Sequence, residues 1–318
     1  MADLCVKIAG VALKNPVITA SGTFGFGREY NALYPLSRLG GISCKGTTLH
    51  ERLGNPPPRI AETPSGILNS VGLQNPGVDA FIREDLPWLK EQGTVVIANL
   101  AGSAISDYCQ AAEKLDETAV DMIELNISCP NVKQGGASFG TACASAQEIT
   151  AAVRKVTRKP LIVKLTPNVT SISDIAAAVE EAGADAVSLI NTLTGMRINI
   201  ETRRPVLRNN TGGMSGPAVF PVAVRMVWET ARRVKIPVIG MGGIASWEDA
   251  VEMMLAGASA IQVGTAMFAD AYAPLKMIEG IERYLEEHQI QSVTELTGKV
   301  EVLSLIHISE PTRQAEIS

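Results

Sequence analysis

The sequence predicts an α/β protein, a (β/α)8 TIM barrel with extended loops at the C-terminal face of the strands. Three observations carry that expectation. Eight short, nearly continuous apolar runs recur along the chain, amphipathic segments separate most of them, and two helix-to-strand passages repeat one another. Parallel strands covered on both faces read as apolar runs of this kind, because neither side of the sheet meets water. Eight β-then-α units favour closure into a barrel over an open doubly wound sheet.

The runs are VITAS (17–21), GISCKG (41–46), VVIANLAG (95–102), MIELNIS (122–128), LIVKLT (161–166), AVSLINT (186–192), PVIGMGG (237–243) and AIQVGTA (260–266). The clearest helices are SAISDYCQAAEKLDETA, SAQEITAAVRKVTRK, SISDIAAAVEEAGA, PAVFPVAVRMVWETARRV and SWEDAVEMMLAGA. Ser173 before Asp174, and Ser246 before Glu248 and Asp249, supply N-caps and acidic first turns. EEAGADAVSLIN and MLAGASAIQVGT share an Ala-Gly-Ala turn that ends a helix and feeds a strand, which reports architecture rather than chemistry. One domain is expected over residues 1–302. Pro311 interrupts residues 303–318, which closure does not need, so a poorly ordered or non-native tail is expected there.

Composition narrows the function classes. The 318 residues are 46% hydrophobic and 19% charged, with 28 Lys+Arg against 33 Asp+Glu and a net charge of -5. That balance does not suit nucleic acid as a partner. Cysteines at 5, 44, 109, 129 and 143 have no repeated CxxC spacing, and histidines occur at 50, 288 and 307, so no metal site is expected. Reduced thiols in a cytoplasmic setting are expected. No run approaches the roughly 20 apolar residues of a membrane span, and MADLCVKIAG has no leader pattern. GTFGFG (22–27) lacks the spacing and the following helix of a dinucleotide fingerprint.

Chemistry concentrates where the apolar runs end. Ser21, Lys45, Asn99, Asn126, Ser128, Cys129, Lys164, Thr166, Asn191, Thr192, Gly242, Gly243, Gly264 and Thr265 all fall near strand tips. In a barrel these approach one mouth. Amides, hydroxyls and two lysines, with few acidic groups, suit a planar anionic or heteroaromatic ligand better than a divalent metal. MGG (241–243) and VGTA (263–266) follow the seventh and eighth strands, where barrels often bind phosphate through backbone N–H groups. Cys129 is suited to act as a nucleophile or as a general base, and no histidine at another strand end favours the first. Lys45 and Lys164 are placed to offset negative charge on a bound ring. Three loops, 47–80, 131–141 and 193–217, are expected to enclose a flat substrate.

Several separated motifs carry a family resemblance: KNPVITASGTFGFG, ISCKGTT, GILNSVGLQNPG, ELNISCPN, LIVKLTPN and IGMGGI. Over residues 3–302 the chain resembles the class 1 dihydroorotate dehydrogenases, and ASGTFGFG with a cysteine resembles the class 1B catalytic subunit. The resemblance implies FMN at the barrel mouth and oxidation of dihydroorotate to orotate in pyrimidine synthesis. It implies that Cys129 removes the C5 proton while C6 gives hydride to flavin N5. It implies FMN contacts at Ser21, Lys45, Gly46, Asn99, Asn126, Lys164, Ile190, Gly216, Gly242, Gly243, Gly264 and Thr265. It implies orotate contacts at Lys45, the run Asn69, Ser70, Val71, Gly72 and Leu73, and at Asn126, Asn191 and Thr192.

The same resemblance implies a partner chain carrying FAD and a [2Fe–2S] cluster, in a heterotetramer of two catalytic and two electron-transfer chains delivering electrons to NAD+. A class 1A homodimer using fumarate, a dihydropyrimidine dehydrogenase-like activity, a non-redox phosphate-binding barrel and a silent scaffold subunit stand as the alternatives.

Overall fold

The computed structural model describes residues 2–128 and 139–302. Eight parallel strands close into a barrel. They are β1 (Val17–Thr19), β2 (Gly41–Ser43), β3 (Val95–Leu100), β4 (Met122–Asn126), β5 (Leu161–Lys164), β6 (Ala186–Leu189), β7 (Val238–Met241) and β8 (Ala260–Val263). Each pairs with its sequence neighbours, and Ile261 to Val263 of β8 lie opposite Val17 to Thr19 of β1. All eight runs read from the sequence therefore became barrel strands. The element order follows the simple right-handed β-α-β logic, in which successive units stand side by side.

The strands are short because only their middles are paired. All but one of their residues are buried, which is why the runs read as apolar. Helices cover the outside through one stripe each. In Ile105–Asp116, Tyr108, Ala111, Ala112 and Leu115 are buried at the three- and four-residue spacing of an amphipathic helix. The helix Trp247–Ala256 starts as expected. Ser246 Oγ accepts from the Asp249 N–H at 3.3 Å, and Asp249 Oδ2 accepts from the Ser246 N–H at 3.1 Å. The other cap was misplaced by two residues. Ser171, not Ser173, caps Ile172–Glu181, because its backbone is extended and its hydroxyl accepts from the Asp174 N–H, whereas Ser173 is already inside the first turn.

Three features were not read from the sequence. A hairpin of Val6–Ile8 with Val11–Leu13 precedes the barrel, and Leu13 comes close to Gly41 at the start of β2, so the hairpin covers the end opposite the strand tips. A long helix, Ala273–Glu287, packs on Trp247–Ala256. Segments expected to be loops instead contribute to a four-stranded antiparallel sheet, in the order 193–195, 212–215, 66–69 and 60–63. Gly213 lies opposite Asn69 in this sheet, joining the segment after β2 to the segment after β6. No local periodicity announces strands of three or four residues, and the pairing that joins the two hairpins links residues more than a hundred positions apart. Among the described residues no helix is long and apolar enough to cross a membrane. Residues 303–318 lie outside the described residues, as does most of the expected loop 131–141.

Candidate active site

One cavity opens at the C-terminal ends of the strands, and the barrel delivers side chains to it from every direction. Ser21 follows β1, and Lys45 with Gly46 follows β2. Asn99 lies within β3, Asn126 ends β4 and Lys164 ends β5. Ile190 and Asn191 follow β6, Gly242 and Gly243 follow β7, and Gly264 with Thr265 follows β8. All of these line the cavity, together with Thr192. Asn69 reaches it from the end of the small sheet, and Val71, Gly72 and Leu73 from the segment that follows. Gly72 and Leu73 both have positive φ, 78° and 58°. A Cβ on Gly72 would stand 2.6 Å from the Asn55 side chain, so only glycine lets the run turn there.

Four expected residues do not line the cavity: Gly216, Ser128, Thr166 and Ser70. Ser70 is turned away from it. It is fully buried, its N–H donates to the Arg59 carbonyl at 2.7 Å, and its carbonyl accepts from Asn55 Nδ2 at 2.8 Å. Alternation along an extended run turns it away while its neighbours face in. Gly216 lines the adjoining cleft with Gly243 and Thr265 rather than the ring cavity itself. Cys129 lies outside the described residues.

The amides of the motif that ends β4 are held tightly. Asn126 Oδ1 accepts from the Ser128 hydroxyl at 2.6 Å and from its N–H at 3.2 Å. Ser128 Oγ accepts in turn from Asn191 Nδ2, and Asn191 Oδ1 accepts from the Thr192 N–H at 2.8 Å. The buried Tyr108 hydroxyl donates to the Asn126 carbonyl at 2.9 Å. A chain of amides and hydroxyls thus crosses from β4 to β6. It answers in part why an apolar strand ends in polar groups: Asn126 and Ser128 are paired with one another, and Asn126 lines the cavity. Such pairing avoids the roughly 1 to 3 kcal/mol that each unpaired buried group would cost.

Beneath the mouth lies a polar layer that the sequence reading overlooked. Ser43 from β2, Glu124 from β4, Ser188 from β6 and Gln262 from β8 meet inside the barrel, one from each even strand. Four side chains from alternate strands are the usual layer of such a barrel, but these layers are ordinarily apolar. Glu124 is fully buried and sits at the hub. Its Oε1 accepts from Ser188 Oγ at 2.7 Å and Gln262 Nε2 at 2.7 Å, and its Oε2 accepts from Ser43 Oγ at 2.8 Å and Asn99 Nδ2 at 2.6 Å. Burial opposes its charge, but the nearby Lys164 ammonium and these hydrogen bonds outweigh burial and hold the carboxyl below the usual range. Glu124 and Gln262 were legible in principle: each stands two residues before a mouth residue, Asn126 and Gly264, and so shares its inward face.

The donor set fits a flat heteroaromatic ring. Asn99 Oδ1 and Gln262 Oε1 are buried and have no hydrogen-bond partner among the described residues, while both residues line the cavity. One N–H of each amide donates to Glu124, which sets the amide's orientation and leaves its carbonyl oxygen as an acceptor for a ligand. Lys164 is 5% exposed and adds positive charge beside them. Ile190, Met214, Met241 and Ile244 provide apolar faces. Gly242 and Gly243 have φ of 119° and 78°, and a Cβ on Gly243 would meet the Phe220 backbone nitrogen at 2.7 Å and the Gly216 oxygen at 2.8 Å. Backbone therefore lines the cavity rim after β7, as a phosphate-bearing ligand requires.

A closed eight-stranded barrel with an amide- and lysine-rich mouth over a buried carboxylate defines an enzyme-type barrel for a planar ring ligand. The chain belongs to the dihydroorotate dehydrogenase family, whose model matches residues 3–285. It is 58% identical over 303 residues to the dihydroorotate dehydrogenase B (NAD(+)) catalytic subunit of Bacteroides thetaiotaomicron, covering 95% of this chain and 100% of that one. It is 56% identical over 298 residues to the subunit of the same name from Alkaliphilus oremlandii, covering 94% and 99%. The corresponding subunit of Thermoanaerobacter pseudethanolicus is 54% identical over 300 residues, covering 94% and 99%.

Proposed function

We propose that this chain is the catalytic subunit of an NAD+-linked dihydroorotate dehydrogenase, oxidising dihydroorotate to orotate in pyrimidine synthesis with FMN at the barrel mouth. The observation that carries the reading is the pair of buried acceptors, Asn99 Oδ1 and Gln262 Oε1, beside Lys164 in a cavity ringed by strand tips. FMN, when bound, supplies the hydride acceptor for substrate C6. Asn99, Asn126, Lys164 and Ile190 would hold its ring, with Gly242, Gly243, Gly264 and Thr265 at the phosphate and Gly216 beside them.

The protein's own groups do the rest. Lys164 and Lys45 offset negative charge that collects on the ring system, and a water-poor cavity strengthens that effect. Asn69, Asn126, Asn191 and Thr192 present donors and acceptors to the pyrimidine edges. The hydrogen-bond chain through Ser128 orients the Asn126 and Asn191 amides, and the Asn69 amide is oriented by the Gly213 carbonyl. Cys129, three residues beyond Asn126, is the proposed base for the C5 proton, a role that rests on its motif.

Partner and location belong to the same reading. The relatives' designation as a catalytic subunit implies a second, electron-transfer subunit. FAD and a [2Fe–2S] cluster on that chain, in a two-plus-two heterotetramer, would carry electrons to NAD+ in the cytoplasm.

The purified chain should show a flavin spectrum, release FMN on denaturation and bleach on anaerobic addition of dihydroorotate. Cys129→Ser should keep FMN but bleach more slowly at neutral pH and recover as pH rises, since serine is the poorer base. A chain that neither contains nor takes up FMN defeats the reading, and bleaching at an unchanged rate removes Cys129 from the chemistry.

A further inference from the structure

We propose that Glu124 is a positioning residue for the ring site. By taking the amide hydrogens of Asn99 and Gln262 and opposing the charge of Lys164, it makes the cavity accept a ring with an N–H edge and holds the bound flavin's potential low. The inference rests on the flavin reading above and adds a residue to it.

The geometry leaves the two amides little choice. Asn99 Nδ2 and Gln262 Nε2 lie 2.6 and 2.7 Å from different oxygens of one carboxylate. Turning either amide over would set its carbonyl oxygen against a carboxylate oxygen, two acceptors in contact with no proton between them. Each therefore shows the cavity its carbonyl, and both carbonyl oxygens are buried without a partner among the described residues. Ser43 and Ser188 occupy the remaining acceptor directions at 2.8 and 2.7 Å, which fixes the carboxylate itself. A ligand that places an N–H against these oxygens satisfies them. One that places a carbonyl or a methyl there leaves them buried and unpaired.

Charge adds the second consequence. Lys164 stands opposite Asn126, one inward-facing position nearer the mouth than Glu124, so it favours extra negative charge on a ring at the mouth, and the buried Glu124 carboxylate subtracts from that effect. Carboxylate and ammonium thus occupy successive levels below the mouth. A carboxyl that merely filled the barrel in its neutral form would leave the ring's affinity for electrons unmoved.

The test compares FMN with N3-methyl-FMN on the flavin-free full chain, by quenching of flavin fluorescence, and measures the midpoint potential of the reloaded protein. Wild type should bind FMN at least about tenfold more tightly than the N3-methyl analogue. In Glu124→Gln that preference should collapse towards unity. The potential should rise by about 30 mV, the equivalent of a tenfold gain in relative affinity for the two-electron-reduced ring. Gln262→Leu keeps the carboxylate, so it should weaken the preference without raising the potential; it also serves if Glu124→Gln does not fold. Equal binding of the two flavins by wild type, or a folded Glu124→Gln with unchanged preference and potential, overturns the proposal while leaving the flavin reading intact. Failure of wild type to bind either flavin overturns both.

Discussion

Lys164→Met keeps the length of the side chain and removes its charge, leaving Glu124 buried below it. Glu124 is 0% exposed and Lys164 5%, so bulk water cannot take over as counter-charge. Breaking a buried ion pair in contact costs about 3 to 5 kcal/mol. Lys164 acts on Glu124 across a longer distance and four donors to Glu124 survive in the variant, so the expected cost is smaller, about 1 to 2 kcal/mol. At roughly 2 °C per kcal/mol for a chain of this size, the flavin-free protein should melt about 2 to 4 °C lower. The pH dependence has a definite sign. In wild type, burial disfavours the Glu124 carboxylate, but Lys164 and the hydrogen bonds outweigh burial and lower its pKa. That stabilisation is complete above the unfolded value of about 4.3 and is lost as pH falls through the folded value. Without Lys164 burial is opposed less, the folded pKa climbs, and protonation relieves the variant in acid. The deficit should therefore be largest near neutrality and shrink towards about pH 4. Urea unfolding of flavin-free wild type, Lys164→Met, Glu124→Gln and the double variant measures it. The double variant should recover at least half of the summed single deficits. Additive losses, or a deficit that grows in acid, refute the pairing.

Three further outcomes follow from local geometry. Gly243→Ala forces a Cβ against backbone atoms at 2.7 and 2.8 Å in a left-handed conformation, so it should cost at least about 2 kcal/mol and weaken FMN binding more than tenfold in a fluorescence titration. Ser246→Ala removes a reciprocal cap beside the cleft that Gly216, Gly243 and Thr265 line, and should cost about 1 kcal/mol in urea unfolding; an unchanged unfolding midpoint would remove the cap from the helix's stability. Burial pushes the Cys44 thiol well above the usual range, with Asp85 and Glu124 adding to the effect, while Cys5 and Cys143 are exposed. Brief alkylation of the native chain, read by peptide mass, should modify the exposed pair and spare Cys44.

The barrel was legible because burial on both faces leaves a one-dimensional trace: an apolar run for each strand. The mouth was legible because polar residues that interrupt such runs at one end have nowhere else to go. Of the sequence-derived site residues within the described chain, all but Ser70, Ser128, Thr166 and Gly216 line the ring cavity, and Gly216 lies beside it. Ser70 faces away from the cavity because an extended run alternates its side chains, which an unbroken run of site residues does not reflect. Glu124 was hidden by its setting: within MIELNIS it reads as a charged residue in an apolar strand, and its partners Ser43, Ser188 and Gln262 come from three other strands. The sheet over the mouth was hidden because pairing between residues 66–69 and 212–215 depends on where the barrel has already put them.

That small sheet has a mechanical consequence. Asn69 donates to the Gly213 carbonyl at 3.3 Å, and a Cβ on Gly213 would fall on the Thr192 hydroxyl, so residues from two distant insertions form one rigid bracket. Remodelling either insertion moves both jaws at once. A change in the shape of this cavity wall must therefore alter the two segments together, whereas the strands below are free to stay as they are.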